Sequence, residues 1–379
     1  MRIAFDARAL TQQPTGTGAY LKNLLDEFAR AEDDHQYYLL SCRKYYYTPP
    51  MNETRFQKII SRGLPGNLWL QLLVPKILKK SEIDIFHSPF GVIPFRSPCA
   101  TVITVHDLAY HLYPQYTDFK NRVLLPRLVP KSINLTDTII ADSQAIKTEL
   151  IQLYKLRESR IKVIHLAPDV QFHPMPKETA RQHLADKYQI QSPFILFVGT
   201  LEPRKNILRL IKAYHELSLE LRNKFQLVIV GKKGWLYQNI FRLVKTLHLQ
   251  DRIIFTGYVP ATELPRFYNA ATFFVFPSLY EGFGLPLVDA LACGTPVITS
   301  DTSSMAEIVS YAGILVDPTD TSTLTQAMTK LLTDKELYHY LSEKALMRSH
   351  TFSWQDTAQK TNEIYRTALR KFTVQKEQK

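Results

Sequence analysis

One stretch of this chain, residues 276–301, constrains its fold more than any other part. It reads FPSLYEGFGLPLVDALACGTPVITSD, and the apolar run 273–276 at its start predicts a buried strand. Pro286 fits the first turn of a helix, where no N–H partner is needed, and Gly294 fits the position just after a helix end. Residues 296–299 then predict a second, parallel strand. The stretch therefore predicts a strand, loop, helix and strand, the repeating unit of a parallel α/β sheet.

Two glycines, Gly282 and Gly284, stand on either side of Phe283 where this helix begins. The free N–H groups and the dipole of a helix N-terminus attract phosphate, and glycine lets the backbone approach a ligand. Glu281 would repel a phosphate, so we interpret it as a partner for sugar hydroxyls, with Asp289 as a second carboxylate on the same helix. A surface acid before an ordinary strand–helix unit is the alternative that these residues leave open.

The same residues resemble a known family. EGFGLP at 281–286, followed by ACGTPV at 292–297, is similar to the signature of retaining glycosyltransferases with the GT-B fold, and is closest to family 4. The resemblance implies that Glu281 contacts the donor sugar and that Asp289 reaches the nucleotide ribose. The family has a second glutamate at the latter position, so Asp289 is shorter by one methylene. Donor contacts are also implied for the residues between them: Gly282, Phe283, Gly284 and Leu285.

A second informative loop, TLEPRKN at 200–206, lies between a predicted strand at 193–199 and a predicted helix at 207–217. Two cations between a strand end and a helix N-terminus predict an anion site, with a solvated basic loop as the alternative. Many family members carry an arginine directly after Gly199, where this chain has Thr200. Lys205 matches the family lysine, and we interpret Arg204 as the substitute for the missing guanidinium.

The N-terminal half repeats the pattern of strand, glycine loop and helix. A strand at 2–7 is followed by the loop QPTGTG at 13–18 and by a helix predicted from Ala19 to about residue 31. Such a loop suits a ligand with phosphates, although a plain tight turn is the more common explanation of a lone GxG. The resemblance implies that Gly16 and Gly18 face the donor diphosphate.

His106 follows the predicted strand 102–105 directly. Parallel α/β sheets place ligands at the C-terminal ends of their strands, which favours a functional histidine over a structural one. The resemblance implies that it lies against the donor sugar. Ser143, just after the predicted strand 138–141, fits a helix N-cap and is a further donor-binding candidate.

Strands and helices alternate through both halves, which predicts parallel sheets in two similar domains. With the resemblance, the expected fold is α/β of the GT-B type: two Rossmann-like, doubly wound domains facing a central cleft. We expect an acceptor-binding domain at 1–172, completed by a C-terminal helix at about 355–375, and a nucleotide-sugar-binding domain at 177–354.

Composition limits the partners. The 379 residues suffice for two domains. The formal net charge of +12 is spread evenly over the chain. Residues 1–170 hold 22 Lys and Arg against 16 Asp and Glu, and the remaining residues hold 25 against 19, so each part carries +6. A basic protein can bind nucleic acid, an anionic membrane or an anionic small molecule. The sequence carries no nucleic-acid-binding signature, so no nucleic acid partner is expected. Three scattered cysteines and no apolar run of transmembrane length favour a cytoplasmic protein without a secretory signal.

The predicted function is a retaining hexosyltransferase that moves a hexose from a nucleotide-diphosphate sugar to a glycan or lipid-linked acceptor, in the synthesis of a cell-surface polysaccharide or glycolipid. Mannose is favoured because LEPRKN at 201–206 resembles a subgroup that uses GDP-mannose. His106, Glu281 and Lys205 are the expected catalytic residues, and the backbone at Tyr258 and Val259 is expected to pack on the base. No metal or cofactor is expected, because cations and helix dipoles neutralise the diphosphate. Two alternatives remain: an epimerase or phosphorylase of the same fold, and a non-catalytic nucleotide-sugar-binding protein.

A basic and aromatic part of the N-terminal half predicts peripheral association with the inner face of a membrane. A core-facing helix with a kink at Pro75 is the alternative for residues 67–80. The expected docking residues are Arg43, Lys44, Tyr45, Tyr46, Tyr47, Trp69, Leu70, Leu73, Lys76, Lys79 and Lys80.

Overall fold

The computed structural model describes residues 1–10, 16–50, 53–117 and 119–377, without the side chains of residue 53 and residues 119–121. The chain forms two compact units. The first comprises Met1–Leu166 with Ser353–Lys379, and the second comprises Ala167–Phe352. The change of unit after Leu166 falls a few residues before residue 172, the expected end of the first domain, and the last helix belongs to the first unit.

A seven-stranded parallel sheet forms the first unit. Its strands are β1 (Arg2–Asp6), β2 (Gln36–Ser41), β3 (Phe56–Ile60), β4 (Ile85–Ser88), β5 (Ala100–Val105), β6 (Thr138–Ala141) and β7 (Ile161–Val163). Its helices are α1 (Gly16–Arg30), α2 (Gly66–Leu72), α3 (Val74–Lys80), α4 (Ala109–Leu112), α5 (Phe119–Leu135), α6 (Gln144–Tyr154) and, from the end of the chain, α16 (Trp354–Glu377). The strand order is β3-β2-β1-β4-β5-β6-β7, so the winding reverses between β1 and β4.

A six-stranded parallel sheet forms the second unit. Its strands are β8 (Phe194–Val198), β9 (Gln226–Val230), β10 (Ile253–Gly257), β11 (Phe273–Phe276), β12 (Val297–Ser300) and β13 (Gly313–Val316). Its helices are α7 (Lys177–Tyr188), α8 (Ile207–Glu216), α9 (Leu219–Lys224), α10 (Gln238–Thr246), α11 (Leu264–Ala270), α12 (Leu285–Ala292), α13 (Ser303–Val309), α14 (Thr321–Thr333) and α15 (Lys335–Ser349). The order β10-β9-β8-β11-β12-β13 reverses between β8 and β11, and doubly wound sheets bind ligands at such a reversal.

Two details of the first unit differ from the sequence prediction. β3 was not predicted, because FQKII is an edge strand whose polar residues face solvent and only Phe56 is buried. Helix α1 begins at Gly16 and not at Ala19, so Gly16 and Gly18 lie in its first turn instead of in a loop. Glycine is tolerated there because the first turn of a helix has few intrahelical hydrogen bonds to weaken. Residues 13–15 of the predicted loop lie outside the described residues.

Four of the expected membrane-docking residues are buried, and for these the prediction is wrong: Tyr45, Tyr47, Trp69 and Leu70. Trp69 and Leu70 are 0% exposed, and the Trp69 indole N–H donates to Ser61 Oγ at 2.6 Å. The helical pattern was assigned to the wrong face, because α2 and α3 are separate helices on either side of Leu73. Leu68 and Leu72, one turn apart on α2, are instead the exposed leucines at 54% and 55%. In the aromatic run only Tyr46 is exposed, since Tyr45 and Tyr47 are buried.

The strands that carry the site are buried on both faces, as parallel sheets covered by helices require. Every residue of β5, β6, β8 and β11 is buried. Within the part of the chain that is described, no helix combines the length and apolarity needed to cross a membrane.

Candidate functional site

Two loops lie side by side at the reversal point of the second sheet. Residues 199–206 follow β8 and residues 277–284 follow β11, the strand that pairs with β8. The Leu279 N–H donates to the Arg204 carbonyl at 2.9 Å. The Asn206 side-chain amide donates to the carbonyls of Pro277 at 3.0 Å and Pro318 at 2.7 Å. These bonds hold the two predicted motifs of the second unit against each other.

The facing loops bring four charged side chains into one ion cluster: Glu202, Arg204, Lys205 and Glu281. Lys205 Nζ donates to Glu281 Oε1 at 2.5 Å, while the Arg204 guanidinium lies 3.1 Å from Glu281 Oε2. Arg204 also donates to Glu202 Oε1 at 2.9 Å and to the Tyr280 carbonyl at 2.7 Å. All four side chains are at most 14% exposed. The structure thus joins the acid and the two cations that the sequence placed in separate motifs.

Electrostatics in this cluster favour the ionised Glu281. Burial alone would raise the pKa of Glu281, but Arg204 and Lys205 outweigh burial and lower it to about 2. Burial lowers the pKa of Lys205, although the neighbouring Glu281 opposes that change. Burial also raises the pKa of Glu202, against the attraction of the two cations. Glu281 is therefore a carboxylate at neutral pH and can only accept hydrogen bonds.

Two serines at the start of α13 fix the backbone around Glu281. Ser303 Oγ accepts from the Glu281 N–H at 3.1 Å. The Ser304 hydroxyl lies 2.8 Å from the Glu281 carbonyl oxygen and 3.0 Å from that of Phe283. The Phe283 ring is buried and packs edge-on against Phe352, with ring centroids 6.0 Å apart. Sequence reasoning missed both serines, because nothing in SSMAEIV distinguishes them from an ordinary helix start.

Helix α12 begins as predicted, at Leu285 with Pro286 in its first turn. Gly284 precedes it with a φ of +99°, and a Cβ there would lie 2.9 Å from a methyl carbon of Leu287, so this position requires glycine. Asp289 lies on this helix and is half-buried. Burial, with Asp169 nearby, raises the pKa of Asp289. The ribose contact of Asp289 stays a prediction.

The remaining donor-binding candidates of the second unit line neighbouring loops. Gly231, which sequence reasoning missed, follows β9 with a φ of +154°, and a Cβ there would lie 1.8 Å from the Gly199 carbonyl oxygen. Only glycine therefore lets these two loops pack, with Thr200 directly after Gly199. Tyr258 and Val259 follow the edge strand β10, with Tyr258 exposed and Val259 buried. Because β9 separates β10 from β8, this pair does not belong to the ion cluster.

In the first unit, His106 follows β5 and Asp142 follows the adjacent strand β6. His106 Nδ1 lies 2.5 Å from Asp142 Oδ2. Burial would lower the pKa of His106, but Asp142, with a smaller effect of Asp107, raises it above its ordinary value. Ser143 caps α6 as predicted, because its hydroxyl accepts from the Ile146 N–H at 3.2 Å. In the sequence Asp142 is the first polar residue after the strand, but only Ser143 next to it was singled out as a candidate.

Helix α1 reaches the same edge of the sheet. The Tyr20 ring meets the His106 ring edge-on, with centroids 4.7 Å apart. Gly16 and Gly18 begin this helix one turn earlier, and a Cβ at Gly16 would meet no atom within 4 Å. The structure thus places the start of α1, with Gly16 and Gly18, at the edge of the first sheet where His106 lies. Their donor contacts stay a prediction.

A buried chain of hydrogen bonds connects this edge to the last helix. The Tyr20 hydroxyl lies 2.9 Å from Thr104 Oγ1, which lies 2.8 Å from His87 Nε2. His87 Nδ1 in turn lies 2.6 Å from the hydroxyl of Tyr365 on α16. Burial lowers the pKa of His87 to about 3, so this histidine is neutral and takes part only in hydrogen bonding. The C-terminal helix therefore stabilises the strands that present His106.

Comparisons with known proteins agree with this architecture. Residues 14–172 match the family model described as Glycosyltransferase Family 4, and residues 181–348 match Glycosyl transferases group 1. The O-antigen chain mannosyltransferase B of Escherichia coli is 30% identical, over 97% of this chain and 100% of the relative. The serotype-specific mannosyltransferase WbdA of Escherichia coli is 34% identical over 69% of this chain, which spans 32% of that longer relative. The solved sucrose-phosphate synthase of Thermosynechococcus elongatus has the same fold, with a TM-score of 0.76 at 22% identity, over 97% of this chain and 98% of that one.

The ion cluster predicts a stability effect for Glu281→Gln. Removing the charge of Glu281 leaves two buried cations with less compensation, which should lower the free energy of unfolding of the second unit by about 3–5 kcal/mol. The pKa of Glu281 falls from 4.5 to about 2 on folding, so its contribution is present above pH 4.5 and is lost as the pH falls towards 2. The difference in melting temperature between the parent protein and Glu281→Gln should therefore shrink as the pH falls from 4.5 towards 2.

Glu178→Gln is the matched control, because this glutamate is 85% exposed and lies 3.9 Å from Arg181. Its replacement should leave unfolding unchanged. Equal stability of Glu281→Gln and Glu178→Gln at neutral pH would show that the ion cluster does not stabilise the second unit.

Proposed function

The chain belongs to the family 4 glycosyltransferases, and we propose that the hexose it transfers is mannose, supplied as GDP-mannose. The acceptor is a glycan or lipid-linked sugar of a cell-surface polysaccharide, and transfer retains the anomeric configuration. Two observations support this donor: the residues LEPRKN at 201–206, and the names of the two relatives, both mannosyltransferases.

The ion cluster is the observation that carries the mechanism. As the bond between sugar and diphosphate breaks, negative charge develops on the leaving phosphate. Lys205 and Arg204 stabilise that charge, together with the N-terminus of α12, which begins at Leu285. Both cations already lie within 3.1 Å of Glu281, so the carboxylate orders them before charge develops. With two cations in place, we propose that transfer needs no metal ion and that a chelator leaves the rate unchanged.

Glu281 has a second role in this proposal. Because it is ionised, it accepts hydrogen bonds from hydroxyl groups of the donor sugar. His106 is a further proposed contact of the donor sugar, as the resemblance to the family implies. The half-buried Asp289 binds the ribose, and Tyr258 and Val259 pack against the base.

A donor screen tests this function. Purified protein is melted with GDP, UDP, ADP or dTDP, and GDP should raise the melting temperature most, because a ligand that binds only folded protein stabilises it.

The variant Lys205→Ala tests the proposed phosphate contact. Its free energy of GDP binding, measured by calorimetry, should be weaker by about 1.5–3 kcal/mol, because a hydrogen bond to a charged group contributes that much. Lys212→Ala removes an exposed cation on α8 and should bind GDP normally.

The product then tests stereochemistry. With GDP-mannose and a mannosylated acceptor, NMR of the new linkage should show the α configuration of the donor. A melting temperature raised most by UDP or dTDP would refute the proposed nucleotide, and a β-linked product would refute retention.

The first unit also carries a surface for peripheral membrane binding in this proposal. Leu68 and Leu72 are exposed on α2, and three exposed lysines follow on α3: Lys76, Lys79 and Lys80. Shallow insertion of leucines beside cations that meet lipid phosphates gives reversible, salt-sensitive binding. Each such lysine contributes about 1 kcal/mol, within a Debye length of the surface.

Vesicle co-sedimentation tests the surface. The protein should bind phosphatidylglycerol vesicles at low salt and release them at high salt, and the double variant Leu68→Ser, Leu72→Ser should bind more weakly. Leu219→Ser changes a leucine of the second unit that is 66% exposed and should bind as the parent does. If the double variant and Leu219→Ser bind equally well, this surface is not the docking site.

A further inference from the structure

Asp142 is a buried carboxylate with one visible task. Its side chain is 1% exposed, and Oδ2 accepts from His106 Nδ1. Its other oxygen, Oδ1, is buried and makes no hydrogen bond to any described residue. Burial raises the pKa of Asp142, and His106 and the nearby His165 oppose that change. A carboxylate is costly to bury, so its single hydrogen bond needs an explanation.

The fold itself makes no other visible use of this carboxylate. Ser143 caps the following helix, so Asp142 is not needed there. Asp137, at the opposite end of the same strand, is the contrasting case. Its carboxylate accepts from the N–H of Thr101 at 2.7 Å and from the Thr101 hydroxyl at 3.0 Å, and so ties β6 to the start of β5. Asp137 therefore joins two strands through its carboxylate, whereas the carboxylate of Asp142 accepts only from the His106 ring.

The bond to Asp142 determines which nitrogen of His106 carries a proton. Burial raises the pKa of Asp142, but the charge of His106 and its hydrogen bond favour the carboxylate. A carboxylate can only accept a hydrogen bond, so in this pair Nδ1 carries the N–H. Nε2 is then the ring atom left for another partner. It is buried and has no hydrogen bond to any residue in the described ranges. Tyr20 packs edge-on against the ring while its own hydroxyl is engaged by Thr104, so it orients His106 without competing for Nε2.

We propose that Asp142 is a positioning residue for His106, which it holds in one tautomer and one orientation so that Nε2 is offered to a hydroxyl group of the sugar substrate. The proposal rests on the proposed function for the identity of that substrate. Asp142 acts through the imidazole ring alone. An ordered acid behind a histidine fixes both its tautomer and its orientation.

The surrounding charges make the state of His106 dependent on pH. Burial opposes protonation, while Asp142, Asp107 and the Pro89 carbonyl favour it, and together they raise the pKa of the ring. His87 faces the same region but is neutral, because burial and the charge of His106 lower its pKa to about 3. Below the raised pKa, Nε2 donates a hydrogen bond; above it, Nε2 accepts one.

The test compares Asp142→Asn with Asp137→Asn, because both replace a carboxylate next to β6 and only one contacts His106. The first readout needs no substrate. In protein with ¹⁵N-labelled histidine, the His106 ring should titrate above 6.5 with Nδ1 protonated, and in Asp142→Asn the midpoint should fall. In Asp137→Asn the midpoint and tautomer should match the parent, whatever the change in melting temperature.

The second readout is transfer. Asp142→Asn should lower kcat/KM on the order of ten- to a hundredfold, the usual effect of losing the partner of a functional histidine, and should shift its pH profile. GDP affinity should be unchanged, because Asp142 acts only through His106, whose proposed contact is with the sugar and not with the nucleotide. In a His106→Ala background, Asp142→Asn should cause no further loss.

An unchanged ring titration in Asp142→Asn would overturn the proposal. So would additive losses in the double variant, because Asp142 would then act independently of His106. Failure of the parent protein to use any nucleotide sugar would refute the proposed function instead, and the ring titration would still decide the role of Asp142.

Discussion

The second unit depends on the ion cluster in which Glu281 holds Lys205 and Arg204. Two buried cations on consecutive residues would repel each other and lose their hydration, so a loop such as 200–206 is stable only with acids beside it. Glu281 supplies a compensating negative charge from the facing loop, and Glu202 supplies another from within the loop 200–206 itself. The same contacts give the site cations that are ordered before a diphosphate is bound. Structural and chemical roles therefore coincide in Glu281, and its replacement tests both.

The first unit uses the same principle with fewer charges. His106 is hydrogen-bonded to Asp142 and packs against the ring of Tyr20. The Tyr20 hydroxyl begins a chain of hydrogen bonds that runs through Thr104 and His87 to the last helix. This chain of contacts explains why a helix from the end of the sequence completes the N-terminal unit. It places the support of His106 in strands and helices, which hold a side chain more rigidly than loops do.

The fold and the family were predicted from the sequence, and both are confirmed. The pattern of strand, loop and helix at 276–301 could be predicted because it depends on local rules for proline, glycine and apolar runs. The comparisons do not favour an epimerase, a phosphorylase or a non-catalytic protein. Lys205 and Glu281 were predicted as site residues, but their contact could not be, since 76 residues separate them. The edge strand β3 and the buried face of α2 were missed. Which of their residues are buried is determined by the elements that pack on them, and these are distant in the sequence. Asp142 was missed for the same reason: only the pairing of β5 with β6 brings it to His106.

The central claim, that Glu281 is ionised and held by two cations, can be measured on the carboxylate itself. Protein with glutamate labelled by ¹³C at the side-chain carboxyl, assigned by comparison with Glu281→Gln, is titrated by NMR from neutral pH downwards. We expect the Glu281 signal to remain that of a carboxylate at pH 4.5 and to titrate near 2. A midpoint at or above 4.5 would contradict it, because Arg204 and Lys205 could not then be paired with Glu281 in solution.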